Sequence, residues 1–282
     1  AVIMISTDDT PANIKRAYDL GAFDYINRPF DSTIVQRRIS NTMFLYAKQQ
    51  RLEKIIAEQF HEQEKNSKLM ISILSHIVEF RNGESGLHIL HVNAITKYLL
   101  KQLVQLTDQY PLSKADISLI STASALHDIG KISISDAILN KPSRLTAEEF
   151  EVIKTHSVIG ANMLLDLSIE QRKNPLIKFA SEICRWHHER YDDNGYPDGL
   201  KGEEIPIAAQ VVALADVYDA LTSERCYKKA YSHGEALKMI LEGQCGAFNP
   251  TLLLCLQEIA ETLESEFMDT SSEQETKSIQ DI

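Results

Sequence analysis

The spacing of apolar residues changes along the chain and predicts more than one kind of structure. Near the start, two short apolar runs, 2–5 and 23–26, predict β-strands. Between them, residues 14–20 carry apolar positions at helical spacing, and Gly21 predicts the end of that helix. The start of the chain is therefore predicted to fold as strand, helix and strand.

Residues 33–80 contain neither proline nor glycine, which predicts one long helix or two in series. Apolar residues recur at heptad spacing near both ends, and polar residues take the equivalent positions between them: Leu45, Leu52, Ile55, Leu69 and Ile73, against Gln59, Glu62 and Asn66. A half-polar seam suits a solvated connecting helix and a dimeric coiled coil about equally well. The sequence leaves open whether this linker helix joins two copies of the chain in a homodimer.

Helical periodicity continues to about residue 263, and no segment alternates in the manner of a strand. Ile95, Leu99 and Leu103 mark one helix, and Thr146 with Glu149 three residues later predicts the capped start of another. The last 20 residues, 263–282, are acidic and rich in serine, which predicts a disordered tail. The predicted fold class is mainly α, with a short α/β segment in front.

The composition narrows the classes of function. Apolar residues make up 44% of the 282 residues, yet no run approaches the roughly 18 apolar residues that a membrane span needs. No signal peptide is recognisable, the chain does not begin with methionine, and its four cysteines lack C-x-x-C spacing, so we expect a fragment of a reduced, cytoplasmic protein. A net charge of −11 argues against a nucleic-acid polymer as partner, whereas a compact phosphate ester binds where metal cations reverse the local field.

Histidines and acids with metal-ligand chemistry are spread over the middle of the chain: His127-Asp128, His156, His187-His188 and Asp216. Neighbouring residues on a helix point about 100° apart, so both members of a pair reach one cavity only when metal ions lie between them. An unpaired carboxylate at Asp128 or Asp216 would be costly in these apolar surroundings, which favours ligation or an ion pair. For His156, in mid-helix, an ordinary core histidine is the competing interpretation. The pattern predicts a dinuclear or larger metal centre for hydrolysis.

The residues beside these ligands suggest how such a centre would act. Asp128 has two carboxylate oxygens and is predicted to bridge two cations, with a water between them whose pKa falls towards neutrality. Lys131 lies one turn further on, where it would meet a phosphate oxygen; the alternative is an ordinary cation at a helix end. Asn194-Gly195 predicts a turn with positive φ at Gly195, after which Tyr196 either lines a pocket or packs.

Three features of the first 40 residues occur together: a strand ending in Ser6, the run 20–26 (Leu-Gly-Ala-Phe-Asp-Tyr-Ile), and Arg28-Pro29-Phe30. This combination resembles the C-terminal part of a response-regulator receiver domain, although that family normally has lysine where Arg28 stands. The resemblance implies that a full-length receiver domain would take a phosphoryl group from a sensor histidine kinase and control an output enzyme.

Four motifs follow in order between residues 67 and 260: His127-Asp128-Ile129-Gly130-Lys131, His187-His188-Glu189, Gly195-Tyr196-Pro197 and 216–223 (Asp-Val-Tyr-Asp-Ala-Leu-Thr-Ser). Together they resemble the HD-GYP family, a branch of the HD-superfamily metal phosphohydrolases. The resemblance implies an all-helical fold and hydrolysis of cyclic di-GMP to the linear dinucleotide pGpG, to GMP, or to both. It also implies that the metals are ligated by His127, Asp128, His156, His187, His188 and Asp216.

Two further matches extend the predicted site. Residues 84–88 (Glu-Ser-Gly-Leu-His) resemble a family segment that supplies ligands to a third metal, which implies this role for Glu84 and His88. Arg225 and Lys228 resemble a pair that contacts the substrate phosphates, with an exposed basic face as the alternative. Mixed histidine and carboxylate ligands predict two or three divalent ions, iron or manganese, with zinc as the alternative.

Some positions depart from the family pattern. His91 stands where arginine is common, Asp193-Asn194 replaces a smaller pair before Gly195, and Asn249 stands where aspartate is usual. None of these changes removes a predicted ligand, so hydrolysis remains the prediction, with substrate preference open. The resulting division is a receiver remnant at 1–40, a helical linker at 41–66, the phosphohydrolase domain at 67–262 and the tail at 263–282.

Two rival functions stay open at this point. One is an HD phosphohydrolase acting on another cyclic dinucleotide, such as cyclic GMP-AMP. The other is a non-catalytic cyclic-dinucleotide sensor or interaction module, which the loss of a metal ligand would favour. Every metal ligand that the resemblance implies is present in the sequence, so no such loss is seen.

Overall fold

A computed structural model of the chain describes residues 2–81, 87–223 and 229–280, with side chains up to residue 266. The contacts within it divide the chain into two units, Ala1–Ser67 and Lys68–Ile282. Among the described residues, no helix combines the length and the hydropathy that a bilayer crossing requires.

The first unit begins with the predicted strand, helix and strand. Strand β1 (Ile3–Ser6) and strand β2 (Asp24–Asn27) are joined by helix α1 (Pro11–Asp19). The strands are parallel, with Ile3 opposite Asp24 and Ser6 opposite Asn27. The prediction of these three elements is confirmed.

Helix α2 (Ser32–Arg81) starts in the first unit and ends in the second, as one helix of 50 residues. The absence of proline and glycine allows this length. Of the two forms that the sequence allows, one long helix or two in series, the structure has the first.

The second unit is built from helices with few other elements. They are α3 (Leu87–Leu106), α4 (Lys114–Ser124), α5 (Asp136–Leu139), α6 (Ala147–Leu165), α7 (Ile169–Arg172), α8 (Pro175–Trp186), α9 (Ile207–Thr222), α10 (His233–Leu241) and α11 (Pro250–Gln280), with short 3-10 helices at Ile129–Ser133 and Gly202–Glu204. The mainly α fold class is confirmed. Thr146 accepts a hydrogen bond from the Glu149 N–H and Glu149 returns one, so the predicted cap of α6 is present.

Helix α9 lies at the centre of this unit, where it packs against α3 and α8. Its sequence is apolar on nearly all sides, which is the pattern of a helix buried in a core. Leu99, Ile120, Ile183, Leu214 and Leu256, from five different helices, are fully buried around it. Polar residues on α9 are therefore held in or beside the core: Asp219 is fully buried, and the side chain of Asp216 is one-fifth exposed.

The end of the chain differs from its prediction. Helix α11 continues from Pro250 to Gln280, across most of the stretch 263–282 for which the composition predicts disorder. No proline or glycine follows Pro250, and glutamate, glutamine and lysine are good helix formers. Low hydrophobicity argues against a packed core, but it does not prevent a helix from continuing.

Candidate metal centre

In the part of the chain that the structure describes, seven side chains with ligand chemistry meet in two groups. The first group is Asp128, His156, His187 and His188; the second group is His88, His127 and Asp216. Within each group, one ligand atom per residue lies within 4.8 Å of the others. The structure thus brings together all six residues that the sequence predicts as ligands of the first two metals, and it adds His88 to the second group.

The candidate ligands come from distant parts of the sequence. His88 lies on α3, His156 on α6 and Asp216 on α9. The two adjacent pairs lie where α4 and α8 give way to turns, which agrees with their predicted position at helix ends. The rings of His187 and His188 have centroids only 4.0 Å apart, so both reach the same group.

Asp128 lies between the two groups. Its Oδ1 is 3.2 Å from Nε2 of His156 and 3.8 Å from Nε2 of His187, both in the first group. Its Oδ2 is 3.3 Å from Nε2 of His127, in the second group. The carboxylate therefore has one oxygen facing each group, which is the arrangement that a bridging ligand requires.

Backbone carbonyls fix the orientation of three of the imidazoles. The donors and acceptors are His127 Nδ1–H to Ser124 O (2.9 Å), His156 Nδ1–H to Ile153 O (2.6 Å) and His187 Nδ1–H to Ile183 O (2.9 Å). A carbonyl oxygen only accepts, so Nδ1 must carry the hydrogen and Nε2 turns to the centre. This is how metal-binding histidines are commonly held.

Several buried polar atoms at the centre have close neighbours but incomplete hydrogen bonding. His127 Nε2 and Asp128 Oδ1 are buried and make no well-formed hydrogen bond. The Nε2 atoms of His156 and His187 face each other at 3.4 Å. Unsatisfied buried groups cost about 1–3 kcal/mol each, and a cation between them removes that cost. The donor set therefore fits a divalent cation in each group.

Charge distinguishes the histidines of the two groups. Burial opposes the charged form of His127, but the carboxylates of Asp128 and Asp216 outweigh burial and raise the pKa of His127 to about 10. Burial, reinforced by the charge of His127, lowers the pKa of His187 to about 3. Burial also holds the pKa of His188 well below its usual value. His187 and His188 thus present neutral imidazoles, the form that binds metals.

Lys131 lies at the centre rather than in solvent. Its Nζ is 2.5 Å from Asp128 Oδ2, and the lysine side chain is largely buried. Burial favours the neutral form of Asp128, but the charges of Lys131 and His127 prevail and hold the pKa of Asp128 well below its usual value. A lysine in this position also brings positive charge to any phosphate that approaches Asp128.

Gly130 allows the backbone that carries Asp128 to approach α6. A Cβ at this position would lie 2.0 Å from the carbonyl oxygen of His156 and 2.6 Å from the backbone nitrogen of Gly160. Any larger residue would separate the two segments. The close approach is what brings the Asp128 carboxylate within reach of the His156 ring.

The loop after His188 is held by a buried acid. The carboxylate of Glu189 accepts the backbone N–H groups of Asp198, Gly199 and Leu200 at 2.7–3.1 Å. The ring of Tyr196 then stacks on the ring of His188, with centroids 4.7 Å apart. Tyr196 therefore lies beside the first group.

The expected positive φ at Gly195 is wrong. The left-handed residue of this turn is Asp193, with φ of 64°. Gly195 is required for a different reason, because a Cβ there would lie 2.4 Å from the backbone nitrogen of Arg190. The close approach of two backbone segments, rather than a special dihedral angle, selects glycine.

Sequence reasoning missed two acids that surround His88. Asp219 is fully buried and accepts hydrogen bonds from Nδ1–H of His88 (2.6 Å) and Nδ1–H of His91 (2.7 Å). Glu79, also buried, has its Oε1 4.0 Å from Nε2 of His88. Each had a signal: Asp219 follows Asp216 by three residues on an apolar helix, and Glu79 stands among apolar residues at the end of α2.

Three predicted site residues lie outside the described residues: Glu84, Arg225 and Lys228. Their roles stay predictions. Two of the departures from the family pattern are now explained by their contacts. His91 donates to Asp219, and the buried Asn249 donates to the Tyr110 hydroxyl at 2.9 Å within the core.

The model of the HD domain family matches residues 52–252. This range includes all seven residues of the two groups. The chain belongs to the HD domain family.

Three of the relatives that the chain resembles are named as phosphodiesterases of cyclic dinucleotides. A probable cyclic di-GMP phosphodiesterase of Vibrio cholerae serotype O1 is 34% identical over 267 residues, which cover 89% of this chain and 59% of the relative. The cyclic di-GMP phosphodiesterase response regulator RpfG of Xanthomonas campestris pv. campestris is 32% identical over 256 residues, which cover 88% of this chain and 64% of the relative. The 3'3'-cGAMP-specific phosphodiesterase 2 of Vibrio cholerae serotype O1 is 34% identical, with 68% of this chain and 34% of the relative covered. The chain spans less than two thirds of each relative.

Proposed function

We propose that this chain is a metal-dependent phosphodiesterase of the HD-GYP type that hydrolyses cyclic di-GMP to pGpG, to GMP, or to both. The observation that carries the proposal is the pair of adjacent ligand groups with Asp128 between them. Two relatives that match most of this chain bear the name cyclic di-GMP phosphodiesterase. A net charge of −11 makes bound cations important for attracting a dianionic substrate.

The proposed ligands follow the two groups, with Asp128 shared: His156, His187 and His188 for one cation, and His88, His127 and Asp216 for the other. Divalent cations supply Lewis acidity and an activated water at such centres. The mixture of imidazole and carboxylate suits iron or manganese, with zinc as the alternative. A third cation at Glu84 remains part of the proposal.

The side chains beside the ligands have separate tasks. The ammonium group of Lys131, held against Asp128, stabilises the negative charge that develops on phosphoryl oxygens during hydrolysis. Tyr196, stacked on His188, offers a ring face and a hydroxyl at the edge of the site for the substrate. Arg225 and Lys228 are proposed to contact the substrate phosphates.

A cyclic GMP-AMP phosphodiesterase is the second candidate. It is favoured by the relative named for that activity and by Asp193-Asn194, which alters the loop before Gly195. A non-catalytic sensor is a weaker candidate, because every ligand of the two groups is present.

The direct test is turnover of both cyclic dinucleotides, side by side, by protein purified without oxygen and loaded with Mn²⁺ or Fe²⁺. We expect faster hydrolysis of cyclic di-GMP and loss of activity after chelation. Faster hydrolysis of cyclic GMP-AMP would instead support the cyclic GMP-AMP phosphodiesterase. Metal binding without any turnover would favour the non-catalytic sensor.

Lys131→Met separates substrate chemistry from metal binding. We expect turnover to fall by about 10²–10³-fold, the usual loss for one charge-stabilising donor, while the metal content stays unchanged. Lys238→Met is the matched control, since Lys238 is an exposed lysine that pairs with Glu242. Equal losses in both variants would remove Lys131 from the proposed mechanism.

We further propose that residues 1–40 are the remnant of a receiver domain, followed by a linker at 41–66, the phosphohydrolase domain at 67–262 and a tail at 263–282. The parallel β1–α1–β2 segment and the unit boundary after Ser67 support this division. A sensor histidine kinase is then the expected partner of the full-length protein. Phosphotransfer from a purified kinase to that protein, with a change in turnover, is the test.

A homodimer through α2 is the proposed assembly. Leu45, Leu52 and Ile73, at heptad positions of α2, are about half exposed. Such a row is buried when two helices form a coiled coil. We expect a dimer in light scattering that Leu52→Asp with Leu45→Asp converts to a monomer; a monomeric parent protein would contradict the proposal.

A further inference from the structure

The segment that follows Lys131 is held by the last residue of helix α2. The guanidinium group of Arg81 donates a hydrogen bond to the backbone oxygen of Ile132 at 2.8 Å and another to that of Ile134 at 3.2 Å. It also pairs with Oδ1 of Asp136 at 2.6 Å. All of these residues belong to the second unit of the chain, so the contacts are formed within one unit.

The hydrogen bonds to the two carbonyls are the contacts that can fix this segment. The 3-10 helix Ile129–Ser133 ends where Ile134 becomes extended, with ψ of 137°. Carbonyls at a helix end have no N–H further along the helix to donate to them, and a basic side chain satisfies such groups. The planar guanidinium reaches both carbonyls at once, because its N–H donors form a rigid fork. Asp136 is mostly exposed, so its ion pair adds little by itself.

Lys131 depends on this segment for its position. It lies inside the same 3-10 helix, directly before Ile132. The helix also packs against α6 through Gly130, where the backbone leaves no room for a Cβ. Because packing holds Gly130 and hydrogen bonds hold Ile132, the backbone of Lys131 between them has little freedom. This fixes the base from which the Lys131 ammonium group reaches Asp128, 2.5 Å away.

We propose that Arg81 is a positioning residue for Lys131. Arg81 acts on the reaction through the backbone that carries Lys131, and the end of α2 thereby helps to set turnover. The backbone oxygen of Arg81 in turn accepts a hydrogen bond from Nδ2 of Asn140 at 2.7 Å, so the two segments are tied in both directions. This inference rests on the proposed function, in which Lys131 stabilises negative charge on phosphoryl oxygens.

A double-mutant cycle tests whether Arg81 acts through Lys131. We measure kcat and KM for cyclic di-GMP with Arg81→Met, with Lys131→Met and with both substitutions together, and we determine the Mn²⁺ content of each protein. Arg81→Lys keeps the charge and removes the planar fork. Arg51→Met is the matched control, because Arg51 is an exposed arginine on the same helix. Circular dichroism checks the folding of every variant.

We expect Arg81→Met to lower kcat by about 10–100-fold with little change in KM or metal content, because a misplaced group loses interactions made in the transition state. In the Lys131→Met background the same substitution should cost less than about threefold, since the group that it positions is already absent. Arg81→Lys should keep part of the activity, and Arg51→Met should match the parent protein. Equal losses from Arg81→Met in both backgrounds overturn the inference, because a general structural defect acts in both. An unchanged kcat in Arg81→Met overturns it as well.

Failure of the proposed function is distinguishable from failure of this inference. A parent protein that hydrolyses neither cyclic di-GMP nor cyclic GMP-AMP overturns the proposed function, and crystal structures of the parent protein and Arg81→Met then decide on positioning. A shift of the Lys131 ammonium group by more than about 1 Å relative to Asp128 supports the inference, and unchanged positions of Lys131 and Ile132 overturn it. If Arg81→Met does not fold, Arg81→Lys takes its place in the cycle and in the crystals, with the same criteria.

Discussion

The two ligand groups differ in what orients their histidines. In the first group, His156 and His187 are each held by a carbonyl three or four residues earlier in the same chain segment. In the second group, His88 is held by the side chain of Asp219, which is 131 residues away in the sequence. The two histidine rings of the first group are thus oriented by their own helix or turn, whereas the His88 ring of the second group is oriented by a contact that only the tertiary structure creates.

This difference has consequences for how each group responds to change. A backbone carbonyl cannot be removed by substitution, so the first group is altered mainly through the ligands themselves. In the second group, the orientation of His88 depends on a side chain that substitution can remove, Asp219. We therefore expect the affinity of the second cation to be the more easily tuned.

The largest effect should come from the residue that joins the groups. Asp128→Ala removes one oxygen from each group and leaves two cations with less negative charge between them. We expect turnover of cyclic di-GMP to fall below detection and metal content to decrease, as measured by product chromatography and elemental analysis. Near-normal turnover with metals bound would show that Asp128 is not a bridge.

Single ligands should separate the groups. His187→Ala and His88→Ala are each expected to cost one bound cation, because each removes an imidazole from a different group. The double variant that combines both substitutions should lose two bound cations, and elemental analysis measures this number. If both single variants lose the same ion, the two groups form one site.

Asp219→Asn addresses orientation alone. The amide keeps the shape of the side chain but is a weaker acceptor for Nδ1–H of His88, so we expect one cation to bind about 10–100-fold more weakly. The other cation should be unaffected. Ser223→Ala, which removes a hydroxyl donor to the same carboxylate, is the control and should have a smaller effect. Equal affinities in Asp219→Asn and the parent protein would remove the contrast between the groups.

Packing around the first group is tested at Gly130. A methyl group at this position meets the His156 carbonyl, so Gly130→Ala should destabilise the fold by about 1–3 kcal/mol and displace His156. Gly234→Ala is the matched control, because nothing lies within 4 Å of its added Cβ. Chemical denaturation measures both. A stability of Gly130→Ala equal to that of the control would mean that the two segments separate freely.

The smallest effect concerns protons. In the cation-free protein the pKa of His127 is raised to about 10, so at neutral pH this residue must lose a proton before it can bind a metal. The pKa of His187 is lowered to about 3, so it has no proton to lose. The affinity of the second cation should rise by up to about tenfold per pH unit between pH 6 and 9, and that of the first should change less. Calorimetry in buffers of different ionisation enthalpy counts the released protons, and equal release at both sites would contradict this assignment.

Much of the centre could be predicted from adjacent residues and spacing. His127-Asp128 and His187-His188 are local patterns, and their positions at helix ends follow from the apolar periodicity before them. The role of Gly195 was predicted with the wrong reason, since the approach of Arg190 is not visible in a local sequence. Glu79 and Asp219 were missed because each meets His88 only in the folded chain. Asp219 is 131 residues away from His88 in the sequence, and Glu79 lies on a different helix, outside the motif that contains His88.

The sequence by itself determined the helical fold class, the strand–helix–strand start and the capped start of α6, and it named all seven residues of the two groups as candidate ligands, with His88 expected at a third metal. These features depend on periodicity and on the chemistry of single residues, which are local. Only the tertiary structure decided which ligands share a group, that Asp128 lies between the groups, and that Asp219 and Glu79 surround His88. The physical reason is that burial and close approach, which set these partnerships, arise only when α9 packs against α3 and α8.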